Sequence, residues 1–292
     1  MQKLIIEARI NEYQGRAENP KVPFLPAEIA ADAAACRAAG AAVVHFHCRQ
    51  ADGQPEHSHA AYAETIRLIR AGSDLLTHPT LGYVAHEAGP QERLATVMRL
   101  AADPATRPDL APMDMGTVNI DSYDPLARRF VSKGRIYRND TATLEYFATQ
   151  LVANGIKPYQ SLWNISFMRQ AYAFMDMSLV PEPAYHLFLL SGDSLLAGHP
   201  GSAAGLAAFT GLLPDRPRAQ WTVCNFNGDL LPLAESIIRQ GGHISIGLGD
   251  HPYAEYGRPS NAELVARVRA LAERLGRPAA TPAEARGMLG MR

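Results

Sequence analysis

The chain has 292 residues, of which 47% are hydrophobic and 20% charged, and its formal net charge is -1. A charge this close to neutral lacks the basic footprint of proteins that bind nucleic acid or anionic membranes, so both partner classes are excluded. No apolar run approaches the roughly 20 residues of a transmembrane span, and three widely spaced cysteines argue against a disulfide framework. The N-terminus leads directly into a strand pattern rather than a signal peptide, which favours a cytoplasmic protein that acts on small molecules.

Strand and helix patterns alternate along the first half of the chain. The first strand places Glu7, Arg9 and Asn11 on one face. Pro26 just inside the first helix and Gly40 just past it show the asymmetry expected of helix ends. The predicted strands cover residues 4–10, 41–49, 75–80 and 110–115, and the predicted helices cover 26–40, 60–70 and 91–102.

The second half repeats this alternation. Its predicted strands cover residues 157–164, 185–190, 221–226 and 243–248, and its helices cover 141–154, 166–180, 202–213, 230–240, 261–275 and 282–289. Eight strand-then-helix units with short connections predict a single (β/α)8 barrel over residues 1–292, with a short C-terminal helical extension. A doubly wound open sheet is the alternative, but no Gly-x-Gly-x-x-Gly follows any predicted strand.

Two histidines lie near the end of the second predicted strand. His45, His47 and Arg49 alternate along it and therefore share one face. Imidazoles about 7 Å apart along a strand can reach one divalent cation from the same side, and histidine is the commonest metal ligand. The alternative is a pair of histidines hydrogen-bonded within the core. The apolar residues that lead into the His-x-His pattern favour the metal site.

Polar residues also gather where five of the predicted strands end. They are His47, His78, Asp114, Asn164 and Asp250. Active sites of (β/α)8 barrels lie at the carboxyl ends of the strands. Each residue alone is explained equally well as a loop cap, but together they predict the wall of one pocket.

Several motifs along the chain resemble those of one known family. They are Pro-x-x-Pro-x-Glu-Ile at 23–29, Ala-Gly-Ala at 39–41 before the His-x-His pattern, Asp-Gly at 52–53, Gly-Thr-Val-Asn at 116–119, Gly-Gly-His at 241–243, and the segments 260–265 and 280–286. With these the chain resembles, nearly end to end, the β-keto acid cleavage enzyme family, which includes the 3-keto-5-aminohexanoate cleavage enzyme of lysine fermentation.

The resemblance implies a metal-dependent retro-Claisen exchange, in which a β-keto acid and acetyl-CoA give acetoacetate and a new acyl-CoA. In the family a divalent ion, typically zinc, is held by the two histidines and by a glutamate at the end of the eighth strand. The ion polarises the ketone and stabilises the developing oxyanion. Family members assemble as tetramers, so the resemblance also implies a homo-oligomer.

The resemblance implies roles for individual residues of this chain. The metal site contains His45 and His47, and Asp250 is kept where the family activates the attacking group. Thr80, in the loop after the third strand, is the second expected catalytic residue. Substrate contacts are expected from Asn11, Arg49, His78, Asp114 and Asn119.

The chain also departs from the family pattern. Gly249 stands where the metal-binding glutamate is expected, and Ser245 stands at the position of an arginine. Pro79 and Pro112 fall at about the places of a catalytic serine and a catalytic threonine. These departures leave the third metal ligand and the identity of the β-keto acid open.

Glu7 is the expected replacement for the missing carboxylate. The first strand neighbours both the second and the eighth when the barrel closes, and Glu7 lies on its polar face. Two histidines and one carboxylate would leave the open position that a catalytic zinc needs. His78 and Asp250 are the alternative third ligands, and a buried ion pair between Glu7 and Arg9 is the structural alternative.

Two other classes of function remain open from the residues. A metal-dependent hydrolase or lyase of a small carboxylate would also use His-x-His, although such enzymes commonly place it on the first strand. A non-catalytic barrel that binds a ligand would explain the joint loss of the glutamate and the arginine.

Overall fold

The computed structural model describes residues 2–81, 88–215 and 217–291. Parallel strands and helices alternate in it as the sequence predicts. The barrel strands, β1 to β8, are Ile6–Arg9, Val43–Phe46, Leu76–Pro79, Leu110–Asp114, Lys157–Leu162, Ala184–Ser191, Ala219–Phe226 and His243–Ile246. The helices, α1 to α9, are Pro26–Ala39, His59–Gly72, Pro90–Ala101, Thr141–Ala153, Ile165–Asp176, Ala203–Thr210, Leu231–Arg239, Asn261–Arg274 and Pro282–Met288.

The strands form a nearly closed barrel. Their order is β3-β2-β1-β8-β7-β6-β5-β4, and every neighbouring pair is parallel. Between β3 and the start of β4, the backbone N–H of Asp109 donates to the carbonyl of Thr77 at 3.0 Å, and the Asp109 carboxylate accepts from the Thr77 hydroxyl at 2.9 Å. The predicted (β/α)8 barrel is confirmed, and α9 is its C-terminal extension.

The helices begin where the sequence supplies caps. The Ser58 hydroxyl accepts from the first turn of α2, and Ser260 forms a capping box with Glu263 at the start of α8. Apolar helix faces pack on the barrel and bury residues such as Ile29 and Leu264. Within the described residues, no helix combines the length and the hydropathy needed to cross a bilayer.

The register of the strands determines which polar side chains are neighbours. Arg9 on β1 pairs with His45 on β2, and His45 pairs in turn with His78 on β3. On the other side of β1, Glu7 pairs with Ser245 on β8. Since neighbouring strands lie about 4.8 Å apart, the register brings these side chains within reach of one another.

One connection differs from the prediction. The sequence predicts short links, but the segment from 115 to 140 leaves the barrel and forms two small antiparallel ladders. Val118–Asn119 pairs with Ile136–Tyr137, and Tyr123–Asp124 pairs with Arg129–Phe130. Strands of two residues are too short to show a readable alternation, which is why the sequence did not reveal them.

Candidate metal centre and active site

A cavity of about 530 Å³ opens at the carboxyl ends of the barrel strands. Arg9, His45, His47, His78, Thr80 and Asp114 are among its lining residues. This is the end of the barrel where enzymes of this fold hold their active sites. Two residues expected in the same wall are not among the described residues that line the cavity. The side chain of Asn164 accepts from the backbone N–H of Phe167 and caps α5, and Asp250 is buried against Arg9, which does line the cavity.

Glu12 lies between the two histidines of the His-x-His pattern. Its Oε1 is 2.8 Å from Nε2 of His45, and its Oε2 is 2.7 Å from Nε2 of His47. All three side chains are buried, and their ligand atoms lie within 4.8 Å of one another. Two imidazole nitrogens and one carboxylate are the donors that zinc uses in catalytic sites. The residues therefore fit a divalent metal ion.

The hydrogen bonds of His45 fix which nitrogen faces Glu12. Its Nδ1 lies 2.8 Å from the backbone carbonyl of His78. A carbonyl only accepts, so we assign the hydrogen to Nδ1, which leaves the Nε2 lone pair directed toward Glu12. Burial lowers the pKa of His45 to about 4, against the opposing charge of Glu12. The ring is therefore neutral near pH 7, as a metal ligand requires.

Glu12 reaches this place because the chain turns sharply after β1. Its φ is 36°, in the left-handed region that residues other than glycine seldom adopt. Nη1 of Arg49 donates to the Glu12 carbonyl at 2.8 Å. Arg9 donates to the Glu12 carboxylate. Two guanidinium groups thus hold the backbone and the side chain of this residue.

Gly249 leaves the space that Glu12 fills. A Cβ at this position would lie 2.6 Å from Cγ of Glu12 and 3.0 Å from the carbonyl oxygen of Arg9. A larger residue therefore cannot stand at 249 while Glu12 keeps its place. The loop after β1 thus places a carboxylate beside His45 and His47, next to the position at the end of β8 where the resemblance expects one.

Arg9 connects Glu12 with Asp250. Its Nε lies 3.0 and 2.9 Å from the two carboxylate oxygens of Asp250, and its Nη2 contacts Glu12. Burial raises the pKa of Asp250 above its ordinary value and the charge of Glu12 adds to this, while Arg9 opposes it. The arrangement holds a carboxyl group of raised pKa beside the candidate metal ligands.

Glu7, the expected third ligand, lies two residues further from the barrel mouth than Arg9. It groups with His45 and His78, whereas His47 groups with Glu12. The Glu7 carboxylate accepts from Nδ1 of His78 at 2.7 Å, from the hydroxyl of Ser245 at 2.6 Å and from that of Tyr159. Burial alone would raise the pKa of Glu7, but His78 and other neighbours hold it at about 2. Arg9 forms its ion pairs with Asp250 and Glu12 rather than with Glu7.

The expected substrate-binding residues divide into two sets. His78 and Asp114 line the cavity together with Thr80. The Asp114 carboxylate accepts from the Tyr137 hydroxyl at 2.9 Å and from the Trp163 indole at 2.7 Å. Burial raises the pKa of Asp114.

The other set supports loops near the site. The Asn11 amide donates to the carbonyl of His47 at 2.7 Å, and its oxygen accepts from the His47 N–H. Arg49 binds the carbonyls of Gly53 and Glu12. Asn119 is exposed and donates to the Asp121 carboxylate. In this structure Asn11 and Arg49 hold His47 and Glu12 in place.

Sequence reasoning missed Glu12 and the wall formed by segment 115–140. Glu12 directly follows the first strand pattern, so its place at a carboxyl strand end was a usable signal. From the segment, Ile120, Ser122, Arg135 and Tyr137 line the cavity. No pattern in the sequence indicates that this segment folds back over the mouth.

A model of the beta-keto acid cleavage enzyme family matches residues 3–291. The chain belongs to this family. The 3-keto-5-aminohexanoate cleavage enzyme of Acetoanaerobium sticklandii is 30% identical to it, over 100% of this chain and 99% of the relative. The 3-oxoadipate:acetyl-CoA acetyltransferase of Cupriavidus necator is 29% identical, over 94% of this chain and 90% of the relative.

These relatives confirm the predicted class of reaction. The chain is an enzyme of a family whose members are named for acyl transfer between β-keto acids and acetyl-CoA. Among solved structures, apo ObcA is similar with a TM-score of 0.73 and 17% identity, over 93% of this chain and 66% of that chain. At this identity the likeness supports the barrel fold alone.

Proposed function

We propose that this enzyme exchanges the acyl group of a β-keto acid with acetyl-CoA. The bond between C2 and C3 of the β-keto acid breaks, C2 joins the acetyl carbonyl carbon to form acetoacetate, and coenzyme A receives the remaining acyl group. The observation that carries the proposal is the group of Glu12, His45 and His47 at the wall of the cavity in a chain of this family.

We propose a divalent metal ion, zinc before others, held by Glu12, His45 and His47. The donor set favours zinc, because two imidazoles and a carboxylate are protein ligands that catalytic zinc sites use. When bound, the ion acts as a Lewis acid toward the ketone of the β-keto acid. Asn11 keeps His47 in place, and the carbonyl of His78 orients His45.

Asp250 is the proposed base, and Arg9 orients it. The carboxylate faces the guanidinium through both oxygens, so its direction is fixed. Burial raises its pKa, which makes it a stronger base than an exposed aspartate. Its task is to take a proton from C2 of the β-keto acid. Thr80 lines the cavity, and its proposed role is to contact the carboxylate of the substrate.

The cavity suits a β-keto acid with an apolar section in its acyl chain. Its volume of about 530 Å³ lies within the range typical of small-molecule sites. Leu187, Leu189 and Trp163 form an apolar part of the wall, with Asp114 and Arg135 as charged members. The curated relatives differ in acyl group, so a panel of β-keto acids must identify the substrate.

Labelled acetyl-CoA tests this proposal. The purified enzyme is given acetyl-CoA with both acetyl carbons as ¹³C, together with each β-keto acid of a panel. The expected products are acetoacetate labelled at C3 and C4 and an unlabelled new acyl-CoA, both measured by mass spectrometry. Asp250→Asn is the control and should lose the exchange. Cleavage without a new acyl-CoA would instead indicate a hydrolase or lyase, and no cleavage at all would contradict the proposal.

We also propose that the enzyme is a cytoplasmic homo-oligomer, a tetramer by resemblance to its family. Exposed apolar side chains on segment 115–140, namely Leu126, Phe130 and Val131, are consistent with a subunit contact. Light scattering at micromolar concentration gives the mass directly. A monomeric mass would contradict the proposal.

A further inference from the structure

We propose that His78 contacts the substrate directly, through a hydrogen bond between its Nε2 and an oxygen atom of the β-keto acid. This inference rests on the proposed function. Nε2 of His78 belongs neither to the group of Glu12, His45 and His47 nor to the Arg9–Asp250 pair.

One hydrogen bond and two ring contacts fix the orientation of His78. Its Nδ1 is 2.7 Å from the carboxylate of Glu7. That carboxylate also accepts from the hydroxyls of Tyr159 and Ser245. The ring packs against those of His45 and Tyr159, with centroids 4.3 Å away in both cases. The imidazole therefore has little freedom to rotate.

The second nitrogen of the ring has no partner. Nε2 of His78 is buried and makes no hydrogen bond to any residue in the described ranges. A buried polar group without a hydrogen bond destabilises the folded protein. His78 itself lines the cavity and is only 1% exposed. A ligand in the cavity can supply the missing hydrogen bond.

The partner of Nδ1 leaves Nε2 for the substrate. The Glu7 carboxylate only accepts, so Nδ1 donates to it and is not available to a ligand. A β-keto acid in the cavity offers oxygen atoms, and one of these can form the hydrogen bond that Nε2 lacks. His78 would thereby fix the position of the β-keto acid beside the candidate metal ligands.

Two substitutions separate the nitrogens of His78. In His78→Asn the amide replaces Nδ1 and can keep the contact with Glu7, but nothing replaces Nε2. In His78→Gln the amide reaches the position of Nε2. We expect His78→Asn to lower kcat/KM by about 10- to 100-fold, the range for one lost hydrogen bond in a buried site, and His78→Gln to recover part of it. His186→Gln, a buried histidine of β6, is the matched control and should keep wild-type activity.

The readouts are kcat and KM for the β-keto acid, the metal content and the thermal midpoint of each variant. Wild-type kinetics in His78→Asn would overturn the inference. Equal losses of kcat/KM in both His78 variants, or a greater loss in His78→Gln, would also overturn it. Either result would assign the effect to Nδ1 or to packing. If the wild type forms no labelled acetoacetate from any β-keto acid, the proposed function fails first and this inference fails with it.

Discussion

Glu12 holds an unfavourable backbone conformation that its surroundings stabilise. A residue other than glycine in a sparsely populated φ/ψ region costs about 1–3 kcal/mol, and Glu12 has φ of 36°. Arg49 binds its carbonyl and Arg9 contacts its carboxylate. The same turn directs the carboxylate toward His45 and His47. The strained backbone of Glu12 thus places its carboxylate where a metal ion would need it.

The choice between Glu12 and Glu7 as third ligand is testable with isosteric substitutions. Glu12→Gln keeps the shape and removes the charge beside the two histidines. We expect it to weaken zinc binding by more than the roughly 10–100-fold associated with a lost supporting hydrogen bond. Glu7→Gln is the matched control, and its loss of zinc affinity should stay within or below that range. Competition with a chromophoric chelator measures both affinities. A larger loss in Glu7→Gln would make Glu7 the ligand, as the sequence predicted.

Gly249 provides a second test at the residue scale. In Gly249→Ala the new methyl group would lie 2.6 Å from Cγ of Glu12 and 3.0 Å from the Arg9 carbonyl. We expect the free energy of unfolding to fall by about 1–3 kcal/mol, as for other overpacked sites, and zinc binding to weaken with it.

Gly287→Ala is the control for this substitution. A Cβ at 287 meets no atom within 4 Å, so urea unfolding should show a stability equal to or above that of the wild type. If Gly249→Ala behaves like Gly287→Ala, the space beside Glu12 is larger than the structure indicates.

The sequence revealed some residues of the site and not others for a physical reason. His45 and His47 were predictable because alternation along a strand fixes the direction of each side chain. Glu12 lies past the end of β1, where the turn at φ of 36° ends that alternation. Glu7 was correctly predicted to face the barrel interior, but its partners on β3, β5 and β8 depend on barrel closure, which a local pattern does not determine.

At the scale of elements, the strands and helices of the barrel follow from long apolar patterns. Each predicted barrel strand overlaps an observed one, with ends that differ by a few residues. Segment 115–140 was not predictable in this way, because its ladders contain two residues per strand. Specificity in barrels lies in such loops. The sequence therefore indicated the reaction class more readily than the substrate.

Arg135 offers a test of what segment 115–140 contributes. It lines the cavity and, within the described residues, forms no ion pair. We expect Arg135→Met to raise KM about fivefold for a β-keto dicarboxylate, the scale of one partly exposed ion pair, with little change for an uncharged β-keto acid. Arg129→Met, on the same segment but outside the cavity wall, is the control. An equal effect on both substrates would show that Arg135 supports the fold of the segment rather than substrate choice.

At the scale of the whole molecule, the barrel buries histidines that must stay neutral. His186 on β6 is fully buried, and its Nε2 lies 3.1 Å from the side-chain oxygen of Gln160 on β5. Burial lowers its pKa to about 3, and the charge of Lys157 adds to this. Burial also lowers the pKa of His243. Because the pKa of both histidines is lowered in the folded protein, both contribute stability that is lost as the pH falls.

Acid should therefore remove the contribution of His186 and His243 to stability, starting near pH 6.5, the ordinary pKa of histidine. Between pH 6.5 and 3 the unfolded chain takes up a proton at His186 and the folded chain does not, so this contribution to stability is lost as pH falls. The slope is about 1.4 kcal/mol per pH unit. In His186→Gln this term is absent. Urea unfolding at pH 7 gives the difference in free energy of unfolding between His186→Gln and the wild type. At pH 4 this difference should change by roughly 3 kcal/mol in favour of the variant. A difference that stays constant with pH would show that folding does not lower the pKa of His186.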